Sequence, residues 1–594
     1  MSKHHEKRWT SWFKANQREE SPTQLTAIAL AKLPPELLRM IFYHLALDLF
    51  YTSATQSEPA RPVSLGWAVV THVCRYWRDV ALADARLWGY GIFHNRRWAD
   101  ESTLRSRDAP LYIRTPSNPF LNSPDAVRLR EAYMANPRVL LDFAHDPVEL
   151  EVLEVGPPSV YDGSNLFITF TFGLKFRYSS FAYPFCAAPS LRRLRLCHRE
   201  FFWDVIASSN LTFLHIELPR SFHDVMNTRA EALSALKHLQ TLETLILINS
   251  MPLKGTDPPG TAHPVVSLPA LSKITLIDNP EPCAWFLSRL EIPTSACVAL
   301  CCDSDTDYDS FPSLLRLLSA HSTRLSESQS EPDRLISLCI DIYSNQLSPG
   351  CYIHGLHVKA WRSPHTFSDM PESMHTTKTD ASIAFSFELG PRLESSFALL
   401  YHTLLDSTFD LRHVRTLRVA ELYHCRWASD WLELLPKFHN LESISVEWSA
   451  ADPFIRTLAA NKLGRNYSEF IDKPIWSYTG SPSPKLVGPN APPIVLPNLQ
   501  HITLADTCLD PADRPEGWLV YDVVLRTLAA RRALLSDGKK LSLTIRGCVI
   551  EPGAVRKLWE ALPDVRWDGD GRLWERSLES SDESDWGFED QVEI

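Results

Sequence analysis

Residues 191–196 read Leu191-Arg192-Arg193-Leu194-Arg195-Leu196, and the spacing L-x-x-L-x-L decides how most of the chain folds. Its last three residues alternate apolar, polar and apolar, the period of a strand with one buried face. The spacing returns at Leu211, Leu214 and Ile216, at Leu242, Leu245 and Leu247, and at Leu271, Ile274 and Leu276, where Asn279 extends it. Later copies fall at Val414, Leu417 and Val419, at Leu441, Ile444 and Val446, and at Leu499, Ile502 and Leu504; Leu543, Ile545 and Cys548 match the end. Three copies follow a proline turn, Ala188-Pro189-Ser190, Leu268-Pro269-Ala270 and Leu496-Pro497-Asn498. Proline ends the preceding segment before each strand starts.

Between these strands the apolar spacing changes to three and four residues. It predicts helices over Phe222–Leu239, Cys283–Leu290, Phe311–Ala320, Trp431–Phe438, Val523–Leu535 and Val555–Leu562. One strand-helix unit cannot bury its apolar face alone, so units must stack, with a parallel sheet along one side. Steps from 194 to 214, 245 and 274 are 20, 31 and 29 residues. That spacing resembles the leucine-rich repeat, made ragged. The expectation for residues 146–570 is therefore an α/β fold, an irregular leucine-rich solenoid with helices or loops opposite the sheet. A globular α/β domain is the alternative, favoured if the gap from Val446 to Leu499 interrupts the stack. Within that gap 478–493 is rich in Pro, Gly and Ser, and reads as loop, as do 304–310 and 365–380.

Upstream, residues 33–45 read Leu33-Pro34-Pro35-Glu36-Leu37-Leu38-Arg39-Met40-Ile41-Phe42-Tyr43-His44-Leu45. Two prolines suit a first helical turn, and Glu36 sits near the positive end of the helix dipole. Leu37, Leu38, Ile41, Phe42 and Leu45 recur at helical spacing as one apolar face. A second amphipathic helix is predicted over Trp67–Leu82, with Trp67, Val70, Val73, Cys74, Trp77, Val80 and Ala81 within an arc of about 140°. Leu87-Trp88 follows at once. Two such short helices need a cover, either a partner or the rest of the chain.

This arrangement resembles the F-box. Leu33-Pro34-Pro35-Glu36, Ile41-Phe42, Val73-Cys74-Arg75-Tyr76-Trp77-Arg78 and Leu87-Trp88 carry the resemblance, and Arg105-Ser106-Arg107-Asp108-Ala109-Pro110-Leu111 is similar to the segment that follows the motif in large fungal F-box proteins. The polar stretch between Phe50 and Trp67 is longer than the compact motif needs. The resemblance implies a Skp-type adaptor as partner, reached through Leu33, Pro34, Pro35, Leu37, Ile41, Phe42, Val73, Cys74, Trp77, Leu87 and Trp88, and through it a cullin. It also implies that the leucine-rich body selects a protein substrate for an SCF-type ubiquitin ligase, with no catalysis by this chain. The expected layout is an extension (1–30), the F-box (31–95), a connecting segment (96–145), the repeat body (146–570) and an acidic tail (571–594). A protein-binding scaffold outside any ligase is the rival reading, with the helices merely capping the body.

Composition is that of an ordinary globular protein. Hydrophobic residues make up 44% and charged residues 22% of 594, ordinary globular values. Only 21 glycines, against 43 prolines and 18 tryptophans, leave little material for phosphate-cradling loops. Of the net charge of -11, residues 579–594 hold seven acidic groups and no Lys or Arg. The remainder is near balance, which gives no electrostatic case for nucleic acid. No signal peptide or apolar run of membrane-spanning length is visible, so a soluble intracellular protein, cytoplasmic or nuclear, is expected without a membrane partner. The twelve cysteines read as buried apolar residues; Cys297, Cys301 and Cys302 lack the paired spacing of a zinc site. Asp303, Asp305, Asp307 and Asp309 resemble a calcium loop, but Tyr308 and Leu314 stand where Gly and Glu belong. With no phosphate loop, nucleophile elbow or zinc-protease motif, neither a cofactor nor a metal is expected. A hydrolase hidden in an α/β body is the weakest of the three readings.

Overall fold

Every leucine triplet quoted above lies on or beside a strand. The computed structural model describes residues 33–52, 66–90, 96–115, 124–134, 148–155, 188–197, 203, 206, 210–218, 228–252, 263–304, 310–327, 335–348, 351–363, 381–389, 409–421, 431, 434–448, 450–451, 454–455, 457–458, 496–507, 509, 521–534, 540–550, 552–562 and 564–568. The extension 1–30, most of the polar insert, residues 305–309 and 478–493 and the acidic tail lie outside them. Two units divide the chain, Met1–Leu218 and Pro219–Ile594.

In the first unit, helices α1 (Pro35–Thr52), α2 (Arg75–Ala83), α3 (Ala85–Gly89) and α4 (Arg96–Ser106) precede five strands. These are β1 (Leu111–Thr115), β2 (Leu129–Met134), β3 (Val152–Val155), β4 (Arg193–Cys197) and β5 (Phe213–Glu217), paired in that order and all parallel. Ile113, Ala132, Leu153, Leu194 and Leu214 stack across the five in register, all buried. Residues 96–145 were expected only to connect. They supply α4 and the first two strands of this sheet instead. Arg128 fastens that passage, donating to the Ala109 carbonyl at 3.0 Å and to Ser106 Oγ at 3.3 Å.

The second unit begins with α5 (Arg229–Lys237), which starts later than the apolar spacing suggests because Thr228 caps it. Thr228 Oγ1 accepts from Glu231 N, and Glu231 Oε2 accepts from Thr228 N, a reciprocal capping box. There follow β6 (Thr244–Ile248), β7 (Val266–Ser267), β8 (Lys273–Asp278), α6 (Pro280–Ser288), β9 (Leu290–Glu291), β10 (Cys297–Ser304), α7 (Phe311–Glu327), β11 (Ser337–Ser348), β12 (Cys351–Trp361), β13 (Ile383–Leu389), β14 (Thr416–Glu421), β15 (Ser443–Trp448), β16 (His501–Ala505), α8 (Tyr521–Leu534), β17 (Ser542–Arg546), α9 (Pro552–Ala561) and β18 (Asp564–Trp567). The main sheet of this unit runs β6-β8-β10-β13-β12-β11-β14-β15-β16-β17-β18, while β7 and β9 pair separately. Where Trp431–Phe438 predicts a helix, the described residues include only a 3-10 turn at Leu435–Lys437 besides helical Trp431 and Leu434.

The sheet departs from the all-parallel expectation at one place. β12 runs antiparallel to both neighbours, β11 and β13. Its inward residues still match: Ile383, Ala360, Leu338 and Leu417 form one row, Phe385, Val358, Ile340 and Val419 the next. Reversing a strand leaves its two-residue alternation intact, so the apolar face continues through it. Nor does the long gap interrupt the sheet. Ile444 pairs directly with Ile502, and Val446 with Leu504.

Three details recur from strand to strand. The leading leucine closes the turn, as in Leu191 N to Ala188 O, Leu271 N to Leu268 O and Leu499 N to Leu496 O, at 3.1–3.2 Å. An asparagine just before it reaches back one repeat: Asn210 to the Pro189 carbonyl, Asn440 to Arg412 and Asn498 to His439, at 2.8–3.0 Å. Left-handed backbone follows or ends four strands, at Asn249, Trp448, Asp506 and Gly547. Asn, Asp and Gly carry that conformation at little cost; Trp448 does not. Among the described residues no helix is long and apolar enough to cross a membrane.

Candidate functional site: an apolar surface on the N-terminal helices

At the start of α1 the Pro34 carbonyl accepts from Leu37 N and Leu38 N, both at 3.1 Å, so the double proline opens the first turn as expected. The predicted single apolar face is in fact two neighbouring rows. Leu38, Phe42 and Ala46 are buried, whereas Leu37, Met40 and Ile41 are 46%, 56% and 46% exposed. Rows three and four residues apart lie side by side on a helix, and the core takes only one.

The second predicted helix is also not continuous. A 3-10 turn covers Gly66–His72, closed by Val73 N donating to Val70 O at 3.3 Å. Cys74 is extended, with φ −157° and ψ 170°, and its Sγ accepts from Trp77 N at 3.4 Å, capping α2. The β-branched run Val69-Val70-Thr71 followed by Val73 disfavours helix here, and the cap fixes the break. The consequence is a change of phase. Trp67 and Val70 point inward before the break and Val80 and Ala81 after it, while Val73 is turned out and is 59% exposed. Tyr76 is exposed as well, and its hydroxyl donates to the Leu33 carbonyl at 2.8 Å, tying α2 to the head of α1.

Of the eleven residues assigned to adaptor contact, Pro34, Leu37, Ile41 and Val73 lie exposed, and Leu33, Pro35, Cys74 and Trp77 are half-buried. Phe42, Leu87 and Trp88 are buried within the apolar cluster of these helices. Phe42 and Trp77 pack at 5.2 Å between ring centroids, and Trp67 meets Trp88 edge-on at the same distance. Trp67 Nε1 donates to the Tyr90 carbonyl at 3.0 Å and Trp88 Nε1 to Leu82 at 3.3 Å. Asp84 ends α2 and caps α3, accepting from Arg86 N at 3.1 Å and pairing with its guanidinium at 3.2 Å. Burial raises the Tyr90 hydroxyl far above the ordinary phenol range, with the neighbouring Tyr43 adding to it. The buried members of this cluster run from Leu38 to Tyr90, and Tyr112 is the latest residue packed against it. Within the first unit, no described residue beyond Tyr112 belongs to it. Met40 and Tyr76 join the surface unanticipated; Met40 stands one turn from Leu37 on α1, the signal that could have found it, whereas the break at Cys74 hid Tyr76.

Elsewhere the sheet carries a buried charge cluster. Arg418 holds Glu447 through two bonds of 2.8 and 2.6 Å, with Asp341 at 3.5 Å, all three buried. Desolvation pushes the Asp341 carboxyl up to about 6 against the pull of Arg418. Between α6 and α7 lies an open cleft of about 450 Å³ whose polar lining among the described residues is Glu281, Ser288, Ser310, Ser313 and Arg316. Cys297, Cys301 and Cys302 form no ligand group among the described residues; Cys197, His215 and Glu217 do. No model of a known protein family matches this chain, and none of the curated proteins is similar enough to match.

Proposed function

We propose that this chain is the substrate-recognition subunit of an SCF-type ubiquitin ligase. Helices α1–α3 act as an F-box that holds a Skp-type adaptor and through it a cullin. The sheet-bearing body, an irregular leucine-rich solenoid, holds the protein to be modified. The chain does no bond chemistry; it raises the concentration of target beside the ligase's activated ubiquitin by holding both on one scaffold.

One observation carries the reading. The N-terminal helices complete a core of their own and still leave Leu37, Met40, Ile41, Val73 and Tyr76 uncovered. Apolar side chains placed together on a rigid helical support mark an interaction surface. The rival scaffold, in which these helices only cap the body, requires the same side chains to be covered by the chain itself. Co-expression of the full chain with a Skp-type adaptor, followed by size-exclusion chromatography, tests the proposal. A complex is expected for the wild type and none for Leu37→Asp with Ile41→Asp. An adaptor that fails to co-elute with the wild type, or that co-elutes equally with both, overturns it.

A further inference from the structure

Strands β4 and β5 pair so that Cys197 lies opposite Glu217 and Arg195 opposite His215. Leu194, Leu196, Leu214 and Ile216 fill the apolar side, so Cys197, His215 and Glu217 share the other. Cys197 Sγ donates to Glu217 Oε2 at 3.2 Å, and His215 Nε2 stands 3.6 Å from the same oxygen. The three donor atoms lie within 4.8 Å of one another. His215 is only 8% exposed, and its Nε2, aimed at this cluster, has no hydrogen-bond partner. A buried polar atom left without a partner costs free energy unless something is meant to meet it.

We propose that Cys197, His215 and Glu217 form a zinc site. Around a tetrahedral zinc ion with a sulfur ligand at ~2.3 Å and nitrogen and oxygen ligands at ~2.0 Å, neighbouring donors sit about 3.3–3.6 Å apart. The two carboxylate separations, 3.2 and 3.6 Å, each stand within about 0.3 Å of these values, and the thiol and imidazole atoms are at most 4.8 Å apart. Thiolate and imidazole select zinc over magnesium or calcium, which take oxygen ligands. As the sulfur–zinc bond forms, the Cys197 thiol gives its proton to solvent. One thiolate and one carboxylate then neutralise the ion, and water completes the fourth position. Arg193 and Arg195, on the same face, would oppose a bare cation. Glu154 pairs with both, at 3.1 and 3.6 Å, and takes up part of that charge.

The test uses the full metal-free chain titrated with cobalt(II), whose thiolate bond gives a charge-transfer band in the near ultraviolet. One equivalent of band, displaced by zinc, is expected. Cys197→Ala should abolish it, and Glu217→Gln should weaken cobalt binding at least ~10-fold, the scale on which even outer groups affect metal affinity. With other cysteines in the chain, the variants decide. Absence of a band in the wild type, or a band that survives Cys197→Ala, overturns the site. Should Cys197→Ala fail to fold, the near-isosteric Glu217→Gln decides alone, and an unmoved titration midpoint overturns it.

Discussion

Removing the exposed side chains of the N-terminal helices should cost adaptor binding while the chain still folds. In Leu37→Ala with Ile41→Ala and Val73→Ala, the first two changes each delete three carbons and the third deletes two. A buried methylene contributes about 0.8 kcal/mol. Leu37 and Ile41 are 46% exposed and Val73 59%, so docking has roughly half of each side chain left to cover. That gives about 1 kcal/mol per site and about 3 kcal/mol for all three, a loss on the order of 100-fold in Kd. By the same accounting, the half of each side chain already covered by the fold should cost the chain's own stability about 1 kcal/mol per site. Isothermal titration against a purified Skp-type adaptor reads the first quantity, and urea unfolding of the same sample reads the second. Trp77→Ala removes a half-buried ring packed on Phe42 and should destabilise the chain by about 2 kcal/mol, roughly half the cost of a fully buried tryptophan. A triple variant that stays folded and binds within threefold of the wild type would refute the assignment of this surface.

Two further outcomes follow from the packing. A Cβ on Gly89 would stand 2.3 Å from the Pro110 carbonyl oxygen, so Gly89→Ala forces backbone apart and should lower stability by about 1–3 kcal/mol in urea unfolding; an unchanged midpoint would show that the helices are not seated on that passage as described. Asp341 is raised to about 6 by burial, against about 4 in an unfolded chain, so the folded protein retains a proton there that the unfolded one has lost. Its contribution to stability therefore falls as pH rises from 4 to 6 and is constant above, by about 3 kcal/mol in all. Stability of the wild type minus that of Asp341→Asn should decline across that window, and a difference that rises or stays flat contradicts the assignment.

How far the sequence could be read depended on whether a period was enough. The leucine triplets located eight strands because L-x-x-L-x-L joins the turn and the inward residues in one signature. β12 has an equally plain alternation, Leu356, Val358 and Ala360 inward with His357 and Lys359 between them, but alternation reads the same in either direction. Its antiparallel course could not be inferred from pattern alone. On α1 the helical period placed Leu37, Leu38, Ile41 and Phe42 together, and no period says which of two adjacent rows the core takes. The break at Cys74 came from local chemistry, a cap within a β-branched run, that the apolar arc overrode. Cys197, His215 and Glu217 were closer to legible. Once Leu194 and Leu214 are matched as successive copies, the 20-residue step also brings 195 opposite 215 and 197 opposite 217.

The raggedness of the repeat is itself informative. The step from Ile444 to Ile502 is 58 residues, against 20 from Leu194 to Leu214, yet both pairs sit in register. Closing a longer loop costs little, about 0.6 kcal/mol per doubling, so the longer step adds only about 1 kcal/mol. Each strand meanwhile buries two or three large apolar side chains, and full burial of one contributes about 1.5–3 kcal/mol. Register is therefore set by the inward rows, and connection length is nearly free to vary. A body built this way can change the segments between its strands without disturbing the sheet. The recognition role proposed above would draw on that combination, a fixed sheet with variable connections.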